Sequence, residues 1–278
     1  MDQKIVDANI AVHTAMASTY ASSEPHFRPE NQKKVRAKLE RLRQASGPRL
    51  LDVGCGTGFI IGLARDLFAE IHGVDATPAM LERVDRSSGN ITLHRGLAEA
   101  LPFPDGYFDA VSAYSFIHHV SDYAEVLREM HRVLRPGGLA YIDLEPNKRF
   151  WAAMGALEAS APDLAALSDI VRREIDSVQH TNERVEREYG VSAQVFSLAE
   201  HYKDIRGGID ADEFVQAARA AGFSACQAGY EWFLGQGAVM HGESPEAAAL
   251  IESYLRRALP VSASLFKYVE FSLRKPGG

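Results

Sequence analysis

Short apolar segments alternate with amphipathic segments from residue 49 to residue 144. The segment from Arg49 to Val53 is apolar and ends at glycines, and apolar residues then recur at helical spacing from Phe59 to Phe68. This change of period predicts a strand, a tight turn and a helix. The same order returns from Glu70 to Val74, where Asp75 closes the predicted strand and Pro78 opens the next helix.

Three more strands are predicted in this region, at Ile91 to His94, Phe108 to Tyr114 and Leu139 to Leu144. Before the last of them, Tyr123 to Leu134 carries apolar residues three and four positions apart and is followed by Pro136-Gly137-Gly138, a helix stop. Parallel neighbours in a sheet need a crossover between them. Strands that alternate with helices therefore predict a parallel, doubly wound α/β sheet.

The pattern changes after Pro146. Residues Lys148 to His201 are largely helical with few strand candidates, which predicts a helical cap inserted after the fifth strand. The alternation then resumes with a helix at Ala211 to Ala221 and strands at Ala225 to Phe233 and Ser264 to Leu273. These two strands bring the predicted sheet to seven.

The chain is accordingly divided into four parts. Residues 1–46 are predicted as an arm of lid helices, 47–147 as the main part of the sheet core, and 148–208 as the helical cap. Residues 209–278 return to the core. They include an insertion before the last strand, with a helical run over 245–258, because the connection is too long for a hairpin turn.

Composition narrows the function classes. The formal charge is −7 and no block of lysine and arginine occurs, which argues against nucleic acid as a substrate. Cys55 and Cys226 allow at most one disulfide, and a reducing compartment fits best. Residues 1–20 lack the apolar core of a secretory signal, and no stretch reaches the length of a membrane span. We expect a cytoplasmic protein without an integral membrane segment.

The strongest chemical signal is the sequence Leu51-Asp52-Val53-Gly54-Cys55-Gly56-Thr57-Gly58, between the first strand and its helix. Glycines let the backbone approach a ligand closely, and the helix start offers free N–H donors. A dinucleotide fingerprint would have its third glycine at position 59, where this chain has Phe59, and the turn has no lysine for a phosphate loop. The alternative is a tight turn that binds nothing.

Asp75 lies 21 residues after Gly54, at the carboxyl end of the second strand. Ligands of open α/β sheets bind at this edge, and a carboxylate there can accept hydrogen bonds from both hydroxyls of a ribose. The alternative role for Asp75 is to cap the helix that starts near Pro78. Together with the glycine turn, Asp75 predicts a nucleoside-binding site.

Further motifs follow in order along the chain. They are Ala98-Glu99-Ala100-Leu101-Pro102-Phe103-Pro104-Asp105, Phe108-Asp109, His118-His119-Val120 and Leu134-Arg135-Pro136-Gly137-Gly138. With the glycine turn and Asp75, they resemble the class I S-adenosylmethionine-dependent methyltransferases, in the branch that includes ubiquinone/menaquinone and natural-product methyltransferases. The resemblance is close from Arg49 to Glu145. It implies a Rossmann-like fold, S-adenosylmethionine as cofactor, a small-molecule acceptor and no metal.

The resemblance also implies roles for individual residues. Asp52 and the glycine turn would hold the methionine end of the cofactor and Asp75 its ribose, while Leu97 stands where many relatives have an aspartate that reaches the adenine amino group. Tyr20 resembles a tyrosine of the family's N-terminal arm that folds over the cofactor; a loosely packed terminal helix is the alternative. The residues predicted to bind the cofactor are Tyr20, Asp52, Gly54, Cys55, Gly56, Thr57, Asp75, Ala76, Met80, Leu97, Ala98 and Ser115.

Catalytic candidates follow the fourth and fifth strands. His118 and His119 lie where an acceptor must approach the cofactor, and histidine suits proton transfer near neutral pH. We predict His119 as general base for a hydroxyl acceptor, with Glu145 orienting the acceptor or the ring; a structural role for the histidine pair is the alternative. Several polar and aromatic cap residues are weaker candidates for acceptor contact, namely Trp151, His180, Tyr189, His201 and Tyr202.

Other functions remain open. The acceptor atom is oxygen, nitrogen or carbon, and a base is needed only for a hydroxyl or a protonated amine. A binding protein or cyclase of the same fold would keep the cofactor site without transferring a methyl group. An NAD(P)-dependent oxidoreductase is a third option, disfavoured by Phe59. The oligomeric state is undecided, with a homodimer as one option.

Overall fold

Seven strands form one sheet in a computed structural model, which describes residues 2–161 and 167–278. Their order is β3-β2-β1-β4-β5-β7-β6, and β7 runs antiparallel to both of its neighbours while the other pairs are parallel. The strands are β1 (Arg49–Val53), β2 (Glu70–Asp75), β3 (Ile91–Arg95), β4 (Phe108–Tyr114), β5 (Leu134–Pro146), β6 (Ala225–Phe233) and β7 (Phe266–Arg274). The predicted doubly wound, mostly parallel seven-stranded sheet is confirmed.

The α-helices of the described residues precede, separate and follow these strands. They are α1 (Gln3–Met16), α2 (Tyr20–Ser23), α3 (Pro29–Ala45), α4 (Phe59–Ala64), α5 (Pro78–Leu81), α6 (Tyr123–Val133), α7 (Lys148–Ser160), α8 (Asp169–Gln179), α9 (Thr181–Tyr189), α10 (Ala193–Ala199), α11 (Ala211–Ala220), α12 (Gln236–Gly242) and α13 (Pro245–Arg257). Helices α7 to α10 follow β5, where the cap is predicted, although residues 162–166 lie outside the described part. In that part, no helix combines the length and the apolar character that crossing a membrane requires.

Each face of the sheet packs against its own layer of helices. Along β1, Leu51 belongs to the core cluster that contains α6 and α11, whereas Leu50 belongs to the cluster on the opposite face with α3 and α4. Successive strand residues point to opposite faces, so a strand buried on both sides is apolar throughout. Strands β1 and β4 are accordingly buried along nearly their whole length, and most of their residues are apolar.

Helix α6 shows how the sequence sets one of these layers. Asp122 caps its start, since the side chain accepts a hydrogen bond from the backbone N–H of Ala124 at 2.8 Å. The buried residues recur three and four positions apart and form one face, which packs on the sheet: Val126, Leu127, Met130 and Val133. The next residue, Leu134, already belongs to β5.

Two predicted boundaries were wrong by four or five residues. Strand β5 begins at Leu134 and not at Leu139, because the backbone of Gly137 and Gly138 pairs with the chain just after β7: Gly137 donates to the carbonyl of Pro276 at 2.9 Å, and Lys275 donates to that of Gly138 at 3.0 Å. The helix after the glycine turn ends at Ala64 and does not continue to Phe68; its last turn loosens into turns that lead to β2.

The N-terminal helix rests on the cap. Residues Ala8, Val12 and Met16 of α1 share a buried cluster with Phe196 and Ala199 of α10. This contact places α1 and the cap side by side over the carboxyl ends of the strands, where the site described next lies.

Candidate active site

The glycine turn forms the floor of a cavity at the carboxyl edge of β1. Gly54, Gly56 and Gly58 all have positive φ, +67°, +51° and +87°, which favours glycine. A Cβ on Gly54 would overlap the ring of Phe116, whereas a Cβ on Gly56 would meet nothing within 4 Å. The backbone at Gly56 is thus open to a ligand.

Asp75 closes one side of the same cavity. Its Oδ2 accepts a hydrogen bond from the backbone N–H of Gly56 at 2.9 Å, and its Oδ1 accepts one from Thr77 at 2.8 Å. The residue at the cap position of α5 is Thr77, and the N–H groups bonded to Asp75 lie before that helix. The carboxylate of Asp75 therefore links the end of β2 to the glycine turn. It does not cap α5, which was the alternative role.

Asp52 is buried beneath the cavity. The hydroxyl of Ser112 donates to its Oδ1 at 2.8 Å. Burial raises the pKa of Asp52 to about 7, and the negative charge of Asp75 adds to the effect. A cation placed beside Asp52 would stabilise its charged form.

All the residues predicted to bind the cofactor line this one cavity, from Tyr20 to Ser115. Sequence reasoning missed the roof of the cavity, which α1 supplies through Ile5, Asn9 and His13. The buried spacing of Ile5, Ala8 and Val12 marks an amphipathic helix, but nothing in that pattern says what the helix covers. We call this space the cofactor cavity.

Two polar atoms in the lining of the cofactor cavity have no hydrogen-bond partner among the described residues. They are Oγ1 of Thr57 and Oδ1 of Asn9, both buried. The amide nitrogen of Asn9 is already engaged, because it donates to the carbonyls of Ile5 and His119 at 2.9 and 3.0 Å. Buried polar atoms are normally satisfied, so these two atoms fit a site for a polar ligand.

A second, larger cavity of about 740 Å³ adjoins the first, and we call it the acceptor cavity. Its walls come from α1 and the chain that follows it, from the cap, and from the segment between β6 and α13. The two cavities share five lining residues, and we call this shared wall the junction: His13, Tyr20, His26, Ser115 and His119.

Backbone strain concentrates at the acceptor cavity. Ser115, Leu144 and Trp232 are the non-glycine residues with positive φ among those described, at +51°, +59° and +57°, and all three line this cavity. Each lies at or near the carboxyl end of a strand. Such conformations cost about 1–3 kcal/mol each and cluster at functional sites, which marks this cavity as one.

Glu145 organises the loop after β4. Its carboxylate, fully buried, accepts hydrogen bonds from the backbone N–H groups of Phe116, Ile117 and His118 at 2.9, 2.9 and 3.0 Å, and from Nδ1 of His118 at 2.7 Å. Glu145 is not one of the described residues that line the two cavities. Glu145 was predicted to orient either the acceptor or the ring of His119; in the structure the ring that its carboxylate contacts is that of His118.

His119 lies at the junction with a defined tautomer. Its Nδ1 is 2.9 Å from the carbonyl oxygen of Ala199, which can only accept, so Nδ1 carries the proton and Nε2 keeps its lone pair. Burial, reinforced by the charge of His118, holds the pKa of His119 well below its usual range. The ring is neutral at physiological pH.

His118 has the opposite electrostatics. Burial alone would lower its pKa, but the carboxylates of Glu145 and Glu200 together outweigh burial and raise it. The side chain of Glu200 lies 3.7 Å from Nε2 of His118 and is itself bonded to Nζ of Lys203 at 2.8 Å. Burial would raise the pKa of Glu200, yet Lys203 and the two imidazoles together lower it.

His118, His119 and Glu200 bring donor atoms within 4.8 Å of one another, a spacing that suits a metal ion. Two of these groups already have partners, because Nζ of Lys203 donates to the carboxylate of Glu200 and Nδ1 of His119 donates to the carbonyl of Ala199. The arrangement is a network centred on the ion pair of Glu200 with Lys203, and the neutral ring of His119 lies beside it. A separate cluster of three carboxylates surrounds the ammonium group of Lys38, which donates to Asp143, Glu231 and Glu270 at 2.8, 2.6 and 2.6 Å.

The candidate residues of the cap fall into two groups, those that line the acceptor cavity and those that do not. Trp151 and Tyr189 line the acceptor cavity, whereas His180, His201 and Tyr202 are not among its lining residues. Nε2 of His180 instead lies within hydrogen-bond distance of Oε1 of Glu158, at 2.9 Å. Sequence reasoning missed Glu200 and Lys203, which line the cavity from the end of α10 and the π-helical turn after it.

Sequence comparison matches part of this chain to known proteins. The model of a methyltransferase domain family matches residues 51–142. Demethylmenaquinone methyltransferases of Chlorobaculum parvum and Listeria welshimeri are 41% and 42% identical to the chain over 115 and 123 residues. These alignments cover 41% of this chain and 46% and 52% of the two relatives, so the chain spans about half the length of the curated relatives it matches.

Solved structures share the fold over most of the chain. A phosphoethanolamine N-methyltransferase of Haemonchus contortus in complex with S-adenosylmethionine aligns with a TM-score of 0.56 at 19% identity, covering 94% of this chain and 56% of the other. A possible histamine N-methyltransferase of Thermotoga maritima aligns with a TM-score of 0.52 at 16% identity, covering 95% and 99%. At these identities the likeness concerns the fold.

Proposed function

We propose that this chain, whose residues 51–142 match the model of a methyltransferase domain family, is a class I S-adenosylmethionine-dependent methyltransferase that transfers a methyl group from S-adenosylmethionine to a small-molecule acceptor. The observation that carries the proposal is the junction. There the cavity lined by the predicted cofactor residues shares a wall with a second cavity large enough for an acceptor. A transferase needs its two substrates to meet at such a point.

The cofactor cavity suits S-adenosylmethionine in charge and in hydrogen bonding. Asp52 and Asp75 place two carboxylates beside the open backbone of Gly56, and the unpartnered atoms of Thr57 and Asn9 offer further contacts. Asp75 would hold the ribose hydroxyls, and Asp52 would lie near the ammonium group of the methionine end. When bound, the cofactor supplies an electrophilic methyl group on a sulfonium.

The chain's own residues would align the acceptor, exclude water and receive a proton. His119 at the junction presents the lone pair of Nε2, which accepts a hydrogen bond or a proton from an acceptor hydroxyl. The low pKa of His119 keeps this lone pair free at physiological pH. Glu145 holds the loop that carries both histidines, and so sets the position of His119 through the backbone.

The four-part division of the chain belongs to the same proposal. Residues 1–46 act as the arm and lid, 148–208 as the cap over the acceptor, and 47–147 with 209–278 as the core. Contacts of α1 with α10 support a joint role for arm and cap. A cytoplasmic location and a place in secondary or cofactor metabolism complete the proposal.

The experiment that tests the function has two parts. Calorimetry should show that S-adenosylhomocysteine binds at micromolar concentrations. Incubation with methyl-labelled S-adenosylmethionine and a panel of hydroxyl, amine and activated-carbon acceptors should then give a labelled product. Binding without any labelled product would support the cyclase or binding-protein alternative, and absence of binding, with NADH bound in its place, would support the oxidoreductase.

A further inference from the structure

A cluster of charged side chains lies behind the wall of the acceptor cavity, and we call it the Lys38 cluster. It consists of Lys38 on α3, Asp143 on β5, Glu231 on β6 and Glu270 on β7. None of these four residues lines either cavity. The ammonium group of Lys38 therefore joins three neighbouring strands to α3 without facing a ligand.

The Lys38 cluster is buried and held by charge. The side chains of Lys38, Asp143 and Glu231 are 12%, 1% and 4% exposed. Burial alone would lower the pKa of Lys38, but the three carboxylates outweigh burial and raise it, so the ammonium group stays charged. Charge-assisted hydrogen bonds are stronger than neutral ones, and a buried setting strengthens them further. These residues therefore have little freedom to move.

Each strained residue of the acceptor cavity is one bond away from this cluster. The backbone N–H of Ser115 donates to the carbonyl of Asp143 at 2.8 Å, and the N–H of Leu144 donates to Oδ1 of Asp143 at 2.6 Å. Trp232 follows Glu231 directly in the chain. The cluster thus reaches all the non-glycine residues with positive φ in the described part of the chain.

The sheet alone does not fix two of these strained residues. Leu144 lies in the bulge of β5, and the pairing of β6 with β7 skips Trp232. A non-glycine residue keeps a positive φ only where the surrounding structure holds it there. The residues that precede these two, Asp143 and Glu231, are both hydrogen-bonded to Lys38, which supplies that hold.

A second lysine ties the same carboxylate to the indole of Trp232. The ammonium group of Lys34 lies 3.1 Å from Oε2 of Glu231 and 5.6 Å from the centre of the Trp232 ring. Glu231 is thus held from α3 on both of its oxygens, since Oε1 accepts from Lys38. The indole of Trp232 takes its place from this carboxylate and from the ammonium group beside it.

We infer that Lys38 is a positioning residue, which acts through its carboxylate partners to hold the three strained residues in the conformations that shape the acceptor cavity. Ser115 also lines the cofactor cavity, so the cluster fixes one residue of the junction as well. This inference rests on the proposed function and adds to it the device that sets the acceptor's place.

The indole of Trp232 reports directly on the wall. The chain has two tryptophans, so in a Trp151→Phe parent the emission comes from Trp232, and acrylamide quenching measures the exposure of its indole. Lys38→Met keeps the length of the side chain and removes its charge. It should raise the quenching constant about two- to threefold, because the wall loses its anchor. Circular dichroism shows whether the variant is folded.

Two milder variants form a matched pair, because Lys38→Met leaves carboxylates without their cation and can unfold the chain. Glu231→Gln and Glu270→Gln each remove one charged partner of Lys38, but only Glu231 adjoins a strained residue. Glu231→Gln should raise the quenching constant of Trp232 about twofold, whereas Glu270→Gln should leave it at the parent value.

Steady-state kinetics give a second readout, with the acceptor that the labelled-product panel identifies. Glu231→Gln should raise the acceptor's KM about three- to tenfold and leave the KM of S-adenosylmethionine unchanged. Lys275→Met is the control for Lys38→Met. Nζ of Lys275 donates to the carbonyls of His131 and Leu134 at 2.7 Å, at the opposite end of β5, so its loss should lower the melting temperature without moving either readout.

Parent values of quenching and of acceptor KM in a folded Lys38→Met variant would overturn the inference. An effect of Glu270→Gln as large as that of Glu231→Gln would also overturn it, and this pair decides the matter if Lys38→Met does not fold. If the wild-type chain binds no S-adenosylhomocysteine and labels no acceptor, the proposed function itself fails. The quenching measurements need no ligand, so the two failures are distinguishable.

Discussion

The cofactor cavity and the acceptor cavity are built in different ways. The floor of the cofactor cavity comes from short turns at the ends of β1, β2 and β4, in which neighbours in sequence are neighbours in space. The walls of the acceptor cavity come from α1, the cap and the segment after β6, which lie far apart along the chain. The family match over residues 51–142 contains most of the residues that line the cofactor cavity and few of those that line the acceptor cavity.

This difference explains why similarity to other proteins indicates the cofactor of this chain but not its acceptor. A ligand held by local turns is carried by a short motif, so the cofactor is recognisable wherever the motif persists. A ligand enclosed by an inserted cap depends on that insertion. The acceptor of a relative that aligns over half its length therefore cannot be transferred to this chain, and the acceptor has to be inferred from its own cavity.

The largest effect is expected at the junction. His119→Ala should lower turnover on a hydroxyl acceptor by about 10²- to 10⁴-fold, because it removes the proton-accepting Nε2, and should leave the affinity for S-adenosylhomocysteine nearly intact. Steady-state kinetics and calorimetry measure the two quantities.

His118→Ala is the control for that variant. It leaves the buried carboxylate of Glu145 without its imidazole partner, so we expect a large loss of stability, of about 3–5 kcal/mol. Near-full turnover of His119→Ala with a true hydroxyl acceptor would show that His119 is not the base.

A smaller effect is expected in the cofactor cavity. Asp75→Ala should weaken S-adenosylhomocysteine about ten- to a hundredfold, because charge-assisted hydrogen bonds to ribose hydroxyls are lost and water replaces them only in part. Asp85→Ala is a matched control, since Asp85 is an exposed acid whose partners are Arg65 and Ser87. Wild-type affinity of Asp75→Ala, by calorimetry, would contradict the assignment of the ribose site.

The pH dependence of cofactor binding should be smaller still. Asp52 has a pKa of about 7 in the free protein, and the cationic ligand favours its charged form, so the complex has a lower pKa. Binding then releases a proton below pH 7, and affinity should fall by up to about fivefold between pH 7 and pH 6. Asp52→Asn should bind more weakly and lose this dependence. A flat profile in the wild type would show that Asp52 does not face the ammonium group.

The smallest effect concerns the lid. Amide hydrogen exchange in α1 and α10 should slow several-fold when cofactor and acceptor bind together, because these helices pack on each other and cover both cavities. Exchange in β1, at the centre of the sheet, serves as the reference. Unchanged exchange in α1 and α10 with both ligands bound would remove the lid hypothesis.

The sequence predicted much of the fold and the floor of the cofactor cavity, because strand periodicity and glycine spacing are local signals. It missed Asn9 and His13, whose place in the roof depends on where α1 packs. It left open whether Glu145 orients the acceptor or the ring of His119, whereas the bulge in β5 near Leu144 turns that carboxylate into the loop after β4. Tertiary packing determines both the position of α1 and the orientation of Glu145, and the spacing of residues along the chain does not encode either of them.

The central claim is that the two cavities meet at the junction and form one active site. A crystal structure with S-adenosylhomocysteine tests it most directly. The account predicts that the ligand's ribose lies on Asp75 and its sulfur at the junction, in contact with Ser115 and the ring of His119 and open to the acceptor cavity. A ligand whose sulfur is enclosed away from His119, with no opening to the acceptor cavity, would contradict it.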